Sequence, residues 1–212
     1  MTIHIDAPVH TAMGPRAGTI TGSASTSAVE GLVRGQTIVV WDGSRARLGH
    51  AAATASTTHT AFVIRHTSGF LQIALPTPLC DRLLIPATPA LPARPNEEGY
   101  RQCIGVDAAQ GTTTGISAAD RARTARILVA SHTAPSDLIR PGHLMVVAVD
   151  PGHSGRQVVP HLTLQLAESG LGGLVFADLI SEQRHRDMAD EREATIFAET
   201  HCLRMFFDGG TT

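Results

Sequence analysis

Short apolar runs of strand length, separated by stretches with helical spacing, are the feature that most restricts what this chain can fold into. Thr37-Ile38-Val39-Val40-Trp41, Leu144-Met145-Val146-Val147-Ala148-Val149 and Leu174-Val175-Phe176-Ala177-Asp178 each read as a strand buried in a core. Ala61-Phe62-Val63-Ile64 opens another apolar stretch. It runs through His66-Thr67-Ser68-Gly69 into Leu71-Gln72-Ile73-Ala74-Leu75, where apolar side chains again recur as in strands. Between these runs, Ala28, Leu32 and Val33 are spaced for a short amphipathic helix that Gly35 breaks, and residues 162–169 read as another helix. Ser117-Ala118-Ala119-Asp120 has capping-box form, which opens a helix through residue 127. Helices and strands are mixed without a strict βαβ repeat, so the expected class is α+β.

A length of 212 residues with 42% hydrophobic content suffices for one core. Residues 1–26, rich in Thr, Ser, Gly, Ala and Pro, read as a flexible arm, leaving 27–212 as a single domain. The Pro-rich segment 86–95 reads as a surface loop. A net charge of only -2 without a basic run argues against nucleic acid and anionic membrane as partners and for a small molecule. The 17 basic residues are all arginine, which excludes a lysine Schiff base and a P-loop lysine. Cys80, Cys103 and Cys202 are widely spaced and lack a CxxC pair, so they read as reduced, mostly buried thiols. With no signal-peptide layout and no membrane-length apolar run, a cytoplasmic location is expected.

Three runs in this order carry a resemblance: Phe62-Val63-Ile64-Arg65-His66-Thr67-Ser68-Gly69, Gly111-Thr112-Thr113-Thr114-Gly115-Ile116-Ser117-Ala118-Ala119-Asp120-Arg121 and Pro135-Ser136-Asp137-Leu138-Ile139-Arg140-Pro141-Gly142-His143. They resemble 3,4-dihydroxy-2-butanone 4-phosphate synthase, the enzyme that supplies the four-carbon unit of riboflavin. Fainter similarity covers nearly everything after the arm. The resemblance implies an α+β fold with a mixed sheet packed by helices and a homodimer with active sites at its interface. It also implies Mg²⁺-assisted chemistry on ribulose 5-phosphate that releases formate.

Where that family reads Asp-Arg-Glu-Asn-Glu-Gly-Asp, this chain reads Ser44-Arg45-Ala46-Arg47-Leu48-Gly49-His50. Arg45 matches the substrate-binding arginine, Ala46 stands at the metal-binding glutamate, and His50 stands at an aspartate that contacts substrate. The expectation for this segment is either a weakened site or a surface turn. In Val158-Val159-Pro160-His161-Leu162-Thr163, His161 matches the family's other metal ligand and is the only one retained, while the arginine and threonine that hold phosphate are replaced. Arg156 is a candidate substitute for the lost arginine. Asp178 corresponds to a catalytic glutamate and His143 to a catalytic histidine.

The candidate catalytic residues are therefore His143, His161 and Asp178, and the candidate substrate contacts are Arg45, His50, Thr67, Thr113, Thr114 and Ser117. The threonine loop lies before a helix, where free amides attract an anion or merely form the turn and cap. Magnesium is expected of the family but not from these residues. A set of His50, His161 and Asp178 binding zinc or iron is a sharper alternative. The leading expectation is an enzyme recruited to a different reaction on a small polar or carbonyl-bearing metabolite, through lyase- or isomerase-type proton transfer. The alternatives are a catalytically silent dimeric binding homologue and a working synthase making the riboflavin precursor and formate.

Overall fold

In the computed structural model, residues 23–89, 99–152, 157–184 and 186–207 are described. The expected arm is therefore outside them up to residue 22, as are most of the Pro-rich segment and Arg156. Strands β1 (Ile38–Trp41), β2 (Ala46–Ala51), β3 (Gln72–Pro76), β4 (Arg101–Ala108), β5 (Leu138–Val149), β6 (Leu174–Asp178) and β7 (Arg204–Phe207) form one sheet in the order β4-β5-β3-β6-β2-β1-β7. Its pairings are parallel for β3 with β5 and for β1 with β7, and antiparallel elsewhere, so the sheet is mixed as expected.

Alternation along the strands gives the sheet two apolar faces. Ile73, Leu75, Leu144, Val146, Val175, Ala177 and Leu48 point to one side. There they pack under α2 (Thr57–His66), α3 (Thr77–Arg82), α4 (Ala118–Val129) and α6 (Glu191–Thr200). Ala74, Val147, Phe176, Ala51, Ile38 and Val40 point to the other side, under α1 (Ser23–Val33) and α5 (Val158–Glu168). Leu162 and Leu166 of α5 are fully buried there, each contributing about 1.5–3 kcal/mol by leaving water.

Several local expectations are corrected. Ala61-Phe62-Val63-Ile64 lies in helix α2, because Ser56 caps the helix by accepting the His59 amide at 3.1 Å and only Thr60 and Val63, a helical spacing apart, are buried. A run of four apolar residues carries no period by which strand and helix are distinguished. Only Ser44 and Arg45 of the 44–50 segment lie in a turn; residues 46–50 are not at the surface, since every residue of β2 is buried between β1 and β6. Helix α1 begins at Ser23, inside the expected arm, and buries Ala28 and Leu32 while Val33 is exposed. Cys80 and Cys103 are buried and Cys202 is exposed, all as free thiols. Among the described residues no helix is long and apolar enough to cross a membrane.

His50 is fully buried on β2, with Nδ1 3.3 Å from the Ala51 carbonyl and Nε2 3.5 Å from the Thr60 hydroxyl. Burial is the largest influence and lowers its pKa from 6.5 to about 4; the Ala51 carbonyl opposes this and nearby His59 adds to it. The unfolded chain therefore takes up a proton near pH 6.5, which the folded chain resists until about pH 4. This contribution to stability is complete above pH 6.5 and is lost as the pH falls toward 4. The gap corresponds to about 3 kcal/mol. Urea melts should show that loss between neutral and acid pH, and His50→Gln should flatten the slope in this window. An unchanged slope in the variant would assign the acid sensitivity to other groups.

Candidate active site

The register places the candidate residues at one end of the sheet. His143 precedes Met145 and Asp178 follows Phe176, and both Met145 and Phe176 pair with Gln72 of β3. Since β5 runs parallel and β6 antiparallel to β3, His143 and Asp178 emerge at the same end, about 10 Å apart at two strand spacings.

His143 does not act alone. Its Nδ1 lies 2.7 Å from Asp107 Oδ2, and its backbone amide donates to Asp107 Oδ1 at 3.0 Å. Asp107 lies near the end of β4 with its side chain 10% exposed, against 46% for His143. One carboxylate thus grips both the backbone and the ring of the histidine. This fixes the proton on Nδ1 and turns Nε2 outward as a hydrogen-bond acceptor. Gly115 roofs the pair, since a Cβ there would sit 2.2 Å from Asp107 Oδ2 and 2.4 Å from His143 Nδ1.

The threonine loop is shaped from within. Ser117 caps α4 by accepting the Asp120 amide at 3.0 Å, as its position suggested. The Asp120 carboxylate, however, turns to the loop. It accepts from the Thr113 amide (3.1 Å), the Thr113 hydroxyl (2.8 Å) and the Gly115 amide (3.0 Å). Burial opposes the Asp120 charge, but these bonds outweigh it and lower its pKa. Amides expected to meet a ligand anion are therefore already taken by a protein carboxylate, while Thr114 stays exposed at the loop surface.

Asp178 sits between two guanidinium groups. Arg47 Nε is 3.0 Å from its Oδ1 and Arg45 Nη1 is 3.9 Å from its Oδ2. Arg47 also pairs with Asp42, which organises the turn before β2 by accepting the Ser44 amide and hydroxyl and the Arg45 amide. Burial works against the Asp42 charge, yet the bonds from Arg47, Arg45 and Ser44 bring its pKa down to about 2. Arg45, the more open of the two arginines, is held at the rim beside Asp178.

The turn after α2 links the two halves. Thr67 donates its hydroxyl to the Val63 carbonyl at 2.7 Å and accepts the Gly69 amide at 3.2 Å, so it shapes this turn. Ser68 donates its amide to the Asp178 carbonyl, and Gly69 accepts from Arg121 Nη1 at 3.2 Å. Arg121, 8% exposed, feels the Asp107 charge; burial disfavours its cation and Asp107 favours it. Hydrogen bonds therefore lead from Asp178 through residues 68 and 69 to Arg121, whose cation is favoured through space by the charge of Asp107, the partner of His143.

Two candidates lie apart from this path. His50 points to the α2 side of the sheet, opposite to Arg47 and Asp178, because adjacent strand positions alternate. His161, exposed in the first turns of α5, has its ring 6.3 Å from that of Phe206. Phe206, Val40, Arg47 and Asp178 form one row across neighbouring strands, which separates Phe206 from Asp178 by about 14 Å. His50, His161 and Asp178 consequently do not form a metal set. Among the described residues no three His, Cys, Asp or Glu side chains converge as one.

Sequence reasoning missed Asp107, Arg121, Arg47 and Asp42. The available signal for Asp107 was an acidic residue within Cys103-Ile104-Gly105-Val106-Asp107-Ala108, just before the glycine-bounded loop. A lone carboxylate in a strand-like run requires a partner.

The family model for 3,4-dihydroxy-2-butanone 4-phosphate synthase matches residues 26–207. Among curated proteins, the riboflavin biosynthesis protein RibBA of Nocardia farcinica is 33% identical over 189 residues, 84% of this chain and 44% of that protein. That of Rhodococcus erythropolis is 32% identical with 84% and 43% covered. The chain thus spans less than half the length of these relatives. Among solved structures, a synthase of Candida albicans superposes with a TM-score of 0.74 at 27% identity, covering 86% of this chain and 92% of that one. A synthase in complex with two magnesium ions superposes with the same score at 25% identity and the same coverage. These findings overturn the expected recruitment to a different reaction. Relatives about 30% identical across most of the chain carry the name of riboflavin biosynthesis, which favours the working synthase.

Proposed function

This chain belongs to the 3,4-dihydroxy-2-butanone 4-phosphate synthase family, and from that premise we propose that it is a working lyase of the same kind. It converts ribulose 5-phosphate into 3,4-dihydroxy-2-butanone 4-phosphate and formate. Together the two products have the composition of the substrate, one hydroxyl leaving as water and one water being added back, so the reaction needs proton transfers and carbon rearrangement but no oxidant. The observation that carries this reading is the His143 and Asp107 pair at the mouth of the sheet.

With Nδ1 held by Asp107, the outward Nε2 of His143 removes a proton from a carbon beside the substrate carbonyl and returns it later. Asp107 stabilises the imidazolium formed meanwhile. Arg45 at the rim supplies positive charge toward the phosphate, and exposed Thr114 supplies a hydroxyl. Asp178, braced by Arg45 and Arg47, accepts substrate hydroxyl groups. A homodimer that completes the site is part of the same proposal.

When bound in this family, Mg²⁺ polarises the oxygens flanking the reacting carbons. The donors of this chain do not fit a protein-built Mg²⁺ set. Position 46 is a fully buried alanine in β2, and the Asp178 carboxylate is shared by two arginines. Among the described residues no three His, Cys, Asp or Glu side chains converge to supply octahedral coordination, and the nearby Asp42 carboxylate is itself paired with Arg47. The proton transfers above use only the chain's own side chains.

The test is formate release from ribulose 5-phosphate, followed with the four-carbon product in equimolar amount, with and without Mg²⁺. The expected result is formate release that persists in EDTA. A folded protein that releases no formate under either condition would defeat the proposal and leave the silent binding homologue.

A further inference from the structure

Helix α4 is fastened to the end of β4 by Thr124, whose hydroxyl accepts the Ala108 amide at 3.0 Å. Arg121 lies one helical spacing earlier on the same face of α4, toward Asp107, the neighbour of Ala108. It is 8% exposed, an unusual place for a guanidinium. Its Nη1 donates to the Gly69 carbonyl at 3.2 Å, while its buried Nε has no hydrogen-bond partner among the described residues. One neutral carbonyl does not offset a buried cation, so a countercharge is required. The Asp107 carboxylate supplies it through space. The other charged groups around the pair are engaged elsewhere. On α4, Asp120 bonds to Thr113 and Gly115, and Arg123 and Arg126 donate to the Gln110 and Ala55 carbonyls. On β5, Arg140 donates to the Pro135 and Leu138 carbonyls, and on β6, Asp178 is braced by Arg45 and Arg47. The 67–69 turn and the 111–115 loop contain no charged residue.

We propose that Arg121 is a positioning residue for the Asp107 and His143 pair, an inference that rests on the synthase reading above: its cation offsets the carboxylate so that His143 waits as a neutral base. Asp107 alone would favour the imidazolium before substrate arrives, because a negative charge 2.7 Å away stabilises a cationic ring. A base that is already protonated removes no proton from carbon. Arginine suits this task because its charge does not titrate, so the balance holds at every working pH. The bond to Gly69 also fixes the turn whose Ser68 amide donates to the Asp178 carbonyl.

The test follows the ring titration of His143 by NMR of its Cε1–H in the full chain without substrate, the signal being assigned by its loss in His143→Gln. Arg121→Gln removes the charge, which favours the imidazolium, so the midpoint should move up by about one pH unit, the ordinary effect of one neighbouring charge. Arg121→Met, which keeps an unbranched apolar stem, should move it equally. Arg121→Lys, which keeps the charge, should hold it near that of the parent. Formate release by Arg121→Gln should fall about tenfold on the acid side of its pH profile and recover at alkaline pH. An unmoved midpoint in the folded neutral variants, or an equal shift in Arg121→Lys, would overturn the proposal. So would unfolding of both neutral variants, which would make Arg121 a structural residue. The titration needs no turnover, so a chain that released no formate would defeat the synthase reading while the midpoint still decided the role of Arg121.

Discussion

The Asp107→Asn variant should turn over ribulose 5-phosphate roughly 10²–10⁴-fold more slowly than the parent, the usual contribution of an oriented general base. Asparagine keeps the size of the side chain, and its carbonyl still accepts the His143 amide. Its NH₂ then faces His143 Nδ1, where a carboxylate oxygen now lies 2.7 Å away. Two donors cannot share that contact, so the ring proton moves to Nε2, the atom meant to accept the substrate proton. The fall should therefore appear in kcat with little change in KM.

His143→Gln should fall as far, and the double variant no further, because both changes remove one unit. A purely structural role for Asp107 predicts something else: lower stability, additive losses and an unaltered pH profile in the residual activity. An Asp107→Asn protein with parental kcat would remove the pair from the mechanism.

Gly142→Ala carries the largest expected effect on stability. A Cβ at this position would lie 2.1 Å from the Val106 carbonyl carbon and 2.3 Å from the Asp107 amide nitrogen. Backbone of a paired strand cannot turn aside as a side chain does, so β4 and β5 must separate locally. Gly105, across the same pairing, would strike the Gly142 carbonyl oxygen at 2.5 Å, so close approach is required from both strands. We expect a loss of about 4 kcal/mol or more, above the range of ordinary substitutions and enough to unfold a marginal domain.

Gly170→Ala serves as the comparison. Gly170 has φ +76 and nothing within 4 Å of its would-be Cβ, so only the backbone preference is lost, about 1–2 kcal/mol. Urea melts of both variants check this. Equal effects would mean that the close packing of β4 on β5 is unimportant. Because Asp107 is one of the atoms struck, any Gly142→Ala protein that folds should also have lost activity.

How much was legible depended on whether a residue's role was local. Leu174-Val175-Phe176-Ala177-Asp178 was readable as a strand because its apolar run is bounded and complete, and it matches β6. Ser117 was readable as a cap because capping spans only a few residues. Asp120 shows where locality ends: its spacing fits a capping box, yet its carboxylate bonds backward to Thr113 and Gly115. Residues 61–64 were legible only as an apolar stretch, because a four-residue run has no period to tell the helix it forms from a strand. For segment 44–50 the surface-turn alternative holds at Ser44 and Arg45 alone, because pairing on both sides buries residues 46–50, and that pairing is not local in sequence.

The class, the family and the candidacy of His143, Arg45 and Asp178 were legible before any folding, since ordered motifs and strand-length runs are properties of the chain as written. That Asp107 grips His143, that Arg45 and Arg47 brace Asp178, and that His50 faces away from both emerged with the folded sheet. Those relations join strands distant in sequence, and they depend on pairing register, where a shift of one residue turns every side chain to the opposite face.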